Sequence, residues 1–184
     1  MFSPRFQVLS GMVLVATLSR LLPHPWNFTP IAAIALFGGA TFSKKWQAFL
    51  VPLLALLISD LVIGFYAQMP IIYLSFSLVV FIGFWLKHRN GFVSLTSAVL
   101  TSSLLFFLIT NVGVWAFGTL YPKTLAGLMQ CYIAGIPYYR NMVLGDAFYA
   151  TLLFGGLALC ERAFPIIRRR RGQVATCHIY DPFS

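Results

Sequence analysis

Acidic residues are almost missing from this chain. Asp60, Asp146, Glu161 and Asp181 are its only four carboxylates in 184 residues, and charged residues of both signs make up just 9%. A soluble domain of ordinary composition carries about 25% charged residues. Hydrophobic residues reach 59%, so the chain has too little polar surface to face water and must be solvated by lipid. Cysteine is sparse too. Cys131, Cys160 and Cys177 are odd in number and share no metal-ligand spacing, which argues against a disulfide framework or a metal site.

Catalytic signatures are also lacking. There is no His-Glu-x-x-His and no glycine-rich phosphate loop. Intramembrane aspartyl proteases carry two membrane aspartates, but here Val143 stands where their glycine precedes Gly145-Asp146, and Asp60 follows Ser59 rather than tyrosine. The expectation is a protein that is not an enzyme and needs no cofactor.

What is present is apolar sequence in blocks. A span takes roughly 20 residues, so the length allows about six or seven. Six segments stand out, at about 6–22, 29–43, 47–66, 70–86, 93–117 and 142–163. They predict an all-α membrane protein, a six-helix bundle over residues 1–165 followed by a basic tail over 166–184. Arg5 precedes the first apolar run, but no small-residue cleavage site follows before Arg20, so the first helix is read as uncleaved. The second segment is short for a span. Pro30 and Gly38-Gly39 give it room to sit irregularly.

The positive charge sets orientation. Arg5, Lys44, Lys45, Lys87, Arg89, Arg162 and the arginines 168–171 fall on one side of a six-span layout, and only Lys123 and Arg140 on the other. Positive residues favour the cytoplasm, so both termini are expected there, in the inner membrane. The net charge of +9 therefore belongs to the lipid surface and not to nucleic acid. Trp46 and Trp85 sit at predicted inner ends, Trp26 and Trp115 near outer ends, as an interfacial belt requires. The stretch 118–141 reads as a long outer loop, too apolar to be a solvated linker and expected to form a short capping helix or lid. Leu36-Phe37-Gly38-Gly39 is echoed by Leu153-Phe154-Gly155-Gly156, which chance or close helix packing explains.

Polar groups at membrane depth need a reason, because a buried charge costs roughly 2.5–3.5 kcal/mol on insertion scales. At 1.5 Å per residue, Asp60 and Asn111 lie about 9 Å below the predicted outer ends of their spans and Asp146 about 7 Å. Arg20 lies within one turn of the outer end of the first span, and its long side chain can reach inward or outward. His24, Asn27, Thr29 and Asn141 would form a mouth above them. Two readings stand side by side. The four polar residues staple helices together, or they shape a small outward-facing pocket. In the second reading Arg20, Asp60, Asn111 and Asp146 bind substrate, with Trp26, Asn27, Trp115, Tyr138, Tyr139 and Asn141 at the rim. A proton- or ion-coupled carrier using Asp60 or Asp146 is the alternative, and a structural protein without a ligand a third.

Several stretches carry a resemblance. Arg20-Leu21-Leu22-Pro23-His24-Pro25, Asn27-Phe28-Thr29-Pro30, Ala35-Leu36-Phe37-Gly38-Gly39-Ala40 and Ser59-Asp60-Leu61 are followed by Thr110-Asn111-Val112-Gly113-Val114-Trp115, Tyr121-Pro122, Arg140-Asn141 and Leu144-Gly145-Asp146. Together they resemble an uncharacterised family of small bacterial six-span membrane proteins, over about residues 18–162. That family in turn is similar to the S components of energy-coupling-factor transporters in size, span number and topology. The resemblance implies capture of a vitamin-like nutrient from outside and association with a transmembrane coupling protein and its ATPases. S components meet that protein through small residues four apart on the first helix. Here Gly11 and Ala16 are five apart, while Ala35 and Gly39 have the spacing on the second segment.

Overall fold

The structure, a computed structural model, describes residues 3–23, 25–89 and 91–168. His24, Cys177, Asp181 and the arginines 169–171 of the tail lie outside the described residues. Among the described residues the regular secondary structure is all helical, with no strand. Six α-helices follow in order: α1 (Pro4–Leu18), α2 (Ile31–Thr41), α3 (Lys45–Ile63), α4 (Met69–Leu86), α5 (Phe92–Phe117) and α6 (Leu125–Ala163). Four of them, α3 to α6, are long and apolar enough to cross a membrane. A 3-10 turn over Ser19–Leu21 extends α1.

Helix α2 is the centre. All eleven of its residues are buried, and it touches each of the other five helices. Its composition explains why. Ala32, Ala33, Ala35, Gly38, Gly39 and Ala40 make a slender rod that neighbours can approach on every side. The approach to α4 is backbone to backbone: a Cβ at Gly39 would lie 2.8 Å from Gly83 Cα, and one at Gly83 would lie 2.7 Å from Gly39 Cα. Gly38 makes room for Pro52, which sits inside α3. The Gly155-Gly156 echo works differently. Gly155 faces open space and Gly156 meets only the tip of Met12.

Contacts sort the helix ends into two layers. At one end Arg5 at the start of α1 binds Glu161 near the end of α6, and Lys87 after α4 donates to Phe42 O after α2 (2.6 Å). At the other end Arg20 meets Asp60, near the end of α3. The segment after α6 turns back at once. Ile167 is buried and its carbonyl accepts from Arg5 (2.6 Å), which anchors this segment to the start of α1.

One expectation needs correcting. Residues 118–141 are not a long loop with a separate lid. The connection shrinks to 118–124, and 125–141 are the first part of a continuous 39-residue helix. That helix is about 58 Å long, against about 40–45 Å for a whole bilayer. Gly127, Gly135 and Pro137 read as loop signals, yet two have packing roles. Gly127 follows the Thr124 cap, which accepts its N–H (3.2 Å), and lies against Pro122 O. Gly135 admits α5: a Cβ there would sit 2.7 Å from Asn111 Oδ1 and 2.9 Å from Phe107. Tyr132 Oη donates to Leu108 O (2.9 Å) along the same seam.

The backbone contact gives a test. Gly39→Ala should destabilise the protein by at least the upper end of the about 1–3 kcal/mol typical of overpacking, because the obstacle is main chain. Gly155→Ala should cost nothing. Denaturant unfolding of both variants in detergent checks the contrast, and equal losses would contradict the packing described.

Candidate functional site

The polar residues form two groups. The first joins α1, α3 and α4. Arg20 Nη1 lies 3.0 Å from Asp60 Oδ1, with both side chains buried, and also donates to Ser59 Oγ. Tyr73 Oη on α4 donates to Asp60 Oδ2 (3.0 Å). Tyr66, on the α3–α4 connection, bonds both Arg20 and Asp60. Asp60 Oδ1 has no hydrogen bond of good geometry, so the guanidinium charge at 3.0 Å is what compensates it.

The second group joins α6, α5 and α2. Asp146, only 2% exposed, accepts from Ser103 Oγ on α5 (2.7 Å) and from the backbone N–H of Ala33. Ala33 is the third residue of α2. The residue in the cap position is Pro30, which has no side-chain acceptor. A carboxylate from α6 therefore supplies the N-cap that α2 lacks. Gly145 makes this reachable, because a Cβ there would lie 3.1 Å from Phe28 Cα in the segment leading into α2.

Between these groups lies a cavity of about 620 Å³. Its walls come from the turn before α2, the α3–α4 connection, the second half of α5 and the first part of α6. Of the residues expected at a site, Trp26, Asn27, Asn111, Tyr138 and Asp146 line it. Arg20 and Asp60 do not; Tyr66, which does, stands between them and the space. Tyr139 is stacked on Phe107 with ring centroids 4.9 Å apart. Asn141 Nδ2 donates to Trp26 O (3.1 Å) and so pins the rim turn to α6. In that turn Phe28 N donates to Pro25 O (3.0 Å), and Asn27 takes φ 60°, a conformation asparagine tolerates. Trp115 faces the α5–α6 connection: its Nε1 donates to Pro122 O (2.9 Å), and Lys123 lies over its ring.

Residues not singled out in advance complete the walls. Gln68 and Thr110 add polar groups, and Phe106, Phe107, Ile72 and Met142 add apolar surface. Thr110 could have been found from its place one residue before Asn111. The phenylalanines could not, in a chain with eighteen of them. Asn111 donates to Phe107 O within its own helix (2.8 Å), and its Oδ1 lies 3.7 Å from Cys131 Sγ. Asp146 is the sole charged residue in the described lining, and its carboxylate already has two donors. The cavity is thus aromatic, amide-bearing and without a cation.

The chain belongs to a family of unknown function, DUF6580, whose model matches residues 1–167. No curated protein and no solved structure matches it.

The ion pair makes a prediction. Asp60→Leu leaves Arg20 buried without its partner and should cost about 3–5 kcal/mol. Adding Arg20→Met should recover most of that loss. Asp146→Ala, which uncaps α2, should cost about 0.5–2 kcal/mol. Unfolding curves give all three. A double variant no more stable than Asp60→Leu would show that the pair is not the coupled unit.

Proposed function

We propose that this chain is a six-span inner-membrane protein, both termini cytoplasmic, that binds a small nutrient from the outer side for uptake. It acts by binding and not by catalysis. The cavity is the observation that carries this reading. Its volume falls within the roughly 300–1,000 Å³ of small-molecule sites, and about 620 Å³ holds a vitamin-sized molecule. The charge tally supports an outer position for its end of the bundle. The resemblance to S components read from the sequence implies the same role, with a transmembrane coupling protein and ATPases as partners.

The lining also points to the ligand's chemistry. Arg20 is held by Asp60 and Ser59, so no cation is offered to a carboxylate or phosphate. Aromatic faces at Trp26, Tyr66, Phe107 and Tyr138, with amides at Asn111 and Gln68, suit a flat, neutral or cationic ring with edge donors and acceptors. A thermal-shift and calorimetry panel of neutral and cationic ring micronutrients on the purified protein tests this. Asn111→Leu should weaken the binder by about tenfold, the value of a lost buried hydrogen bond. Ala134→Phe, at an exposed position of the lining, fills the cavity and should abolish binding. Undiminished affinity in a folded Ala134→Phe would sink the reading.

One observation favours a second reading, a proton-coupled carrier: Asp146 is a carboxylate at the cavity wall. In that case Asp146→Asn spares binding and abolishes gradient-driven uptake in vesicles. Uptake indifferent to the proton gradient would count against it.

A further inference from the structure

A second cavity, of about 360 Å³, lies at the opposite, basic end of the bundle. We propose that it holds the phosphate of an anionic phospholipid, with one acyl chain laid along the outer face of α3. The proposal stands apart from the nutrient reading and needs only that the chain sits in a bilayer.

The cavity is framed by the start of α1 and by the connection from α2 into α3. Arg5 and Lys44 supply charge, and Ser3, Ser43 and Gln47 supply hydrogen-bonding groups. Arg5 engages Glu161 and Ile167 O through Nη1, but its Nε is buried without a partner. Lys44 meets no carboxylate among the described residues. Lys44 is also the N-cap of α3, and its side chain does not cap. Gln47 N bonds Lys44 O (3.1 Å), so the N–H groups of Lys45 and Trp46 at the start of this 19-residue helix are the ones left toward this end, which adds partial positive charge. Lys45, Lys87 and Arg89 follow at the same end, against the single described carboxylate of Glu161. Asp60 and Asp146 lie at the far end. A dianion or monoanion is what this charge balance lacks.

The apolar half of the argument is a stripe. Trp46 lines the cavity mouth and is 51% exposed. From it Leu50, Leu54 and Ile58 recur every fourth residue, each close to half exposed. Fourfold spacing puts all four on one face of α3, and twelve residues cover about 18 Å, comparable to the about 15 Å of one leaflet's hydrocarbon. Tryptophan belongs at headgroup level. Phosphate site, aromatic collar and apolar track therefore follow one another in the order of a phospholipid. Free phosphate would use only the first.

The test uses the full-length chain in nanodiscs of phosphatidylcholine alone or mixed with phosphatidylglycerol, read by thermal unfolding and by native mass spectrometry for retained lipid. Phosphatidylglycerol should raise the melting temperature saturably and remain bound. Lys44→Gln should weaken that lipid by about fivefold, the worth of one basic contact near an anionic surface, while melting normally in phosphatidylcholine. Gln47→Glu, which puts an anion in the mouth, should abolish retention. Arg89→Gln removes the same charge at the same end but outside the cavity, and should change little. Equal effects of Lys44→Gln and Arg89→Gln would mean diffuse attraction only and overturn the site. Inorganic phosphate reproducing the full shift in phosphatidylcholine would overturn the lipid assignment.

Discussion

An eleven-residue helix with no exposed face has to be completed by other parts of the chain, and α2 governs this bundle for that reason. At about 16 Å it covers half of the roughly 30 Å hydrocarbon core. Its free N–H groups open inside the bundle and need acceptors there. The residue at its cap position is proline, so the acceptor must come from elsewhere in the fold. Asp146 supplies it. Once α6 is tied to the start of α2, Ser103 brings in α5, and the Gly39–Gly83 contact fixes α4 against the opposite end of α2. The cavity occupies what remains between the capped end of α2 and the seam of α5 with α6.

Sequence periodicity located the apolar segments well because lipid demands long uninterrupted runs. Helix ends for α3, α4 and α5 fall within three residues of those expected. It failed on the first 17 of the 39 residues of α6, where Gly127, Gly135 and Pro137 carry the signals of a loop. Glycine and proline mean less in membrane helices than in soluble ones, since close packing and neighbouring groups absorb both. Gly135 is there for Phe107 and Asn111, which only the folded α5–α6 pair makes visible.

The polar residues were legible as a set, but not in their arrangement. Counting residues from a helix end gives height only where that end is right, and α6 begins at Leu125 and not near 142, so the depth expected for Asp146 does not hold. Azimuth depends on which face each helix turns to its neighbours, and six uniformly apolar helices carry almost no moment to reveal it. Asp60 and Asp146 therefore serve different joints, one between α1, α3 and α4, the other between α6, α5 and α2. Stapling and pocket formation are consequently not exclusive. The staples consume the charges, and the space between them is left with aromatic rings and amides.

The scarcity of acids then takes on a structural meaning. Each of the three described carboxylates joins segments far apart in sequence, and two of the three hold α1. That helix is only fifteen residues long, too short by itself to anchor through apolar area. Arg5 ties its start to Glu161 on α6, and Arg20, just past its end, ties it to Asp60 on α3. A buried pair adds little net stability against an apolar equivalent, because desolvation offsets attraction. What it fixes is register: a one-residue slip of α1 would rotate it by about 100° and carry both arginines away from their carboxylates. The two clasps, about 22 Å apart along the helix, thus select one placement of α1 where sequence-wide hydrophobicity would accept many.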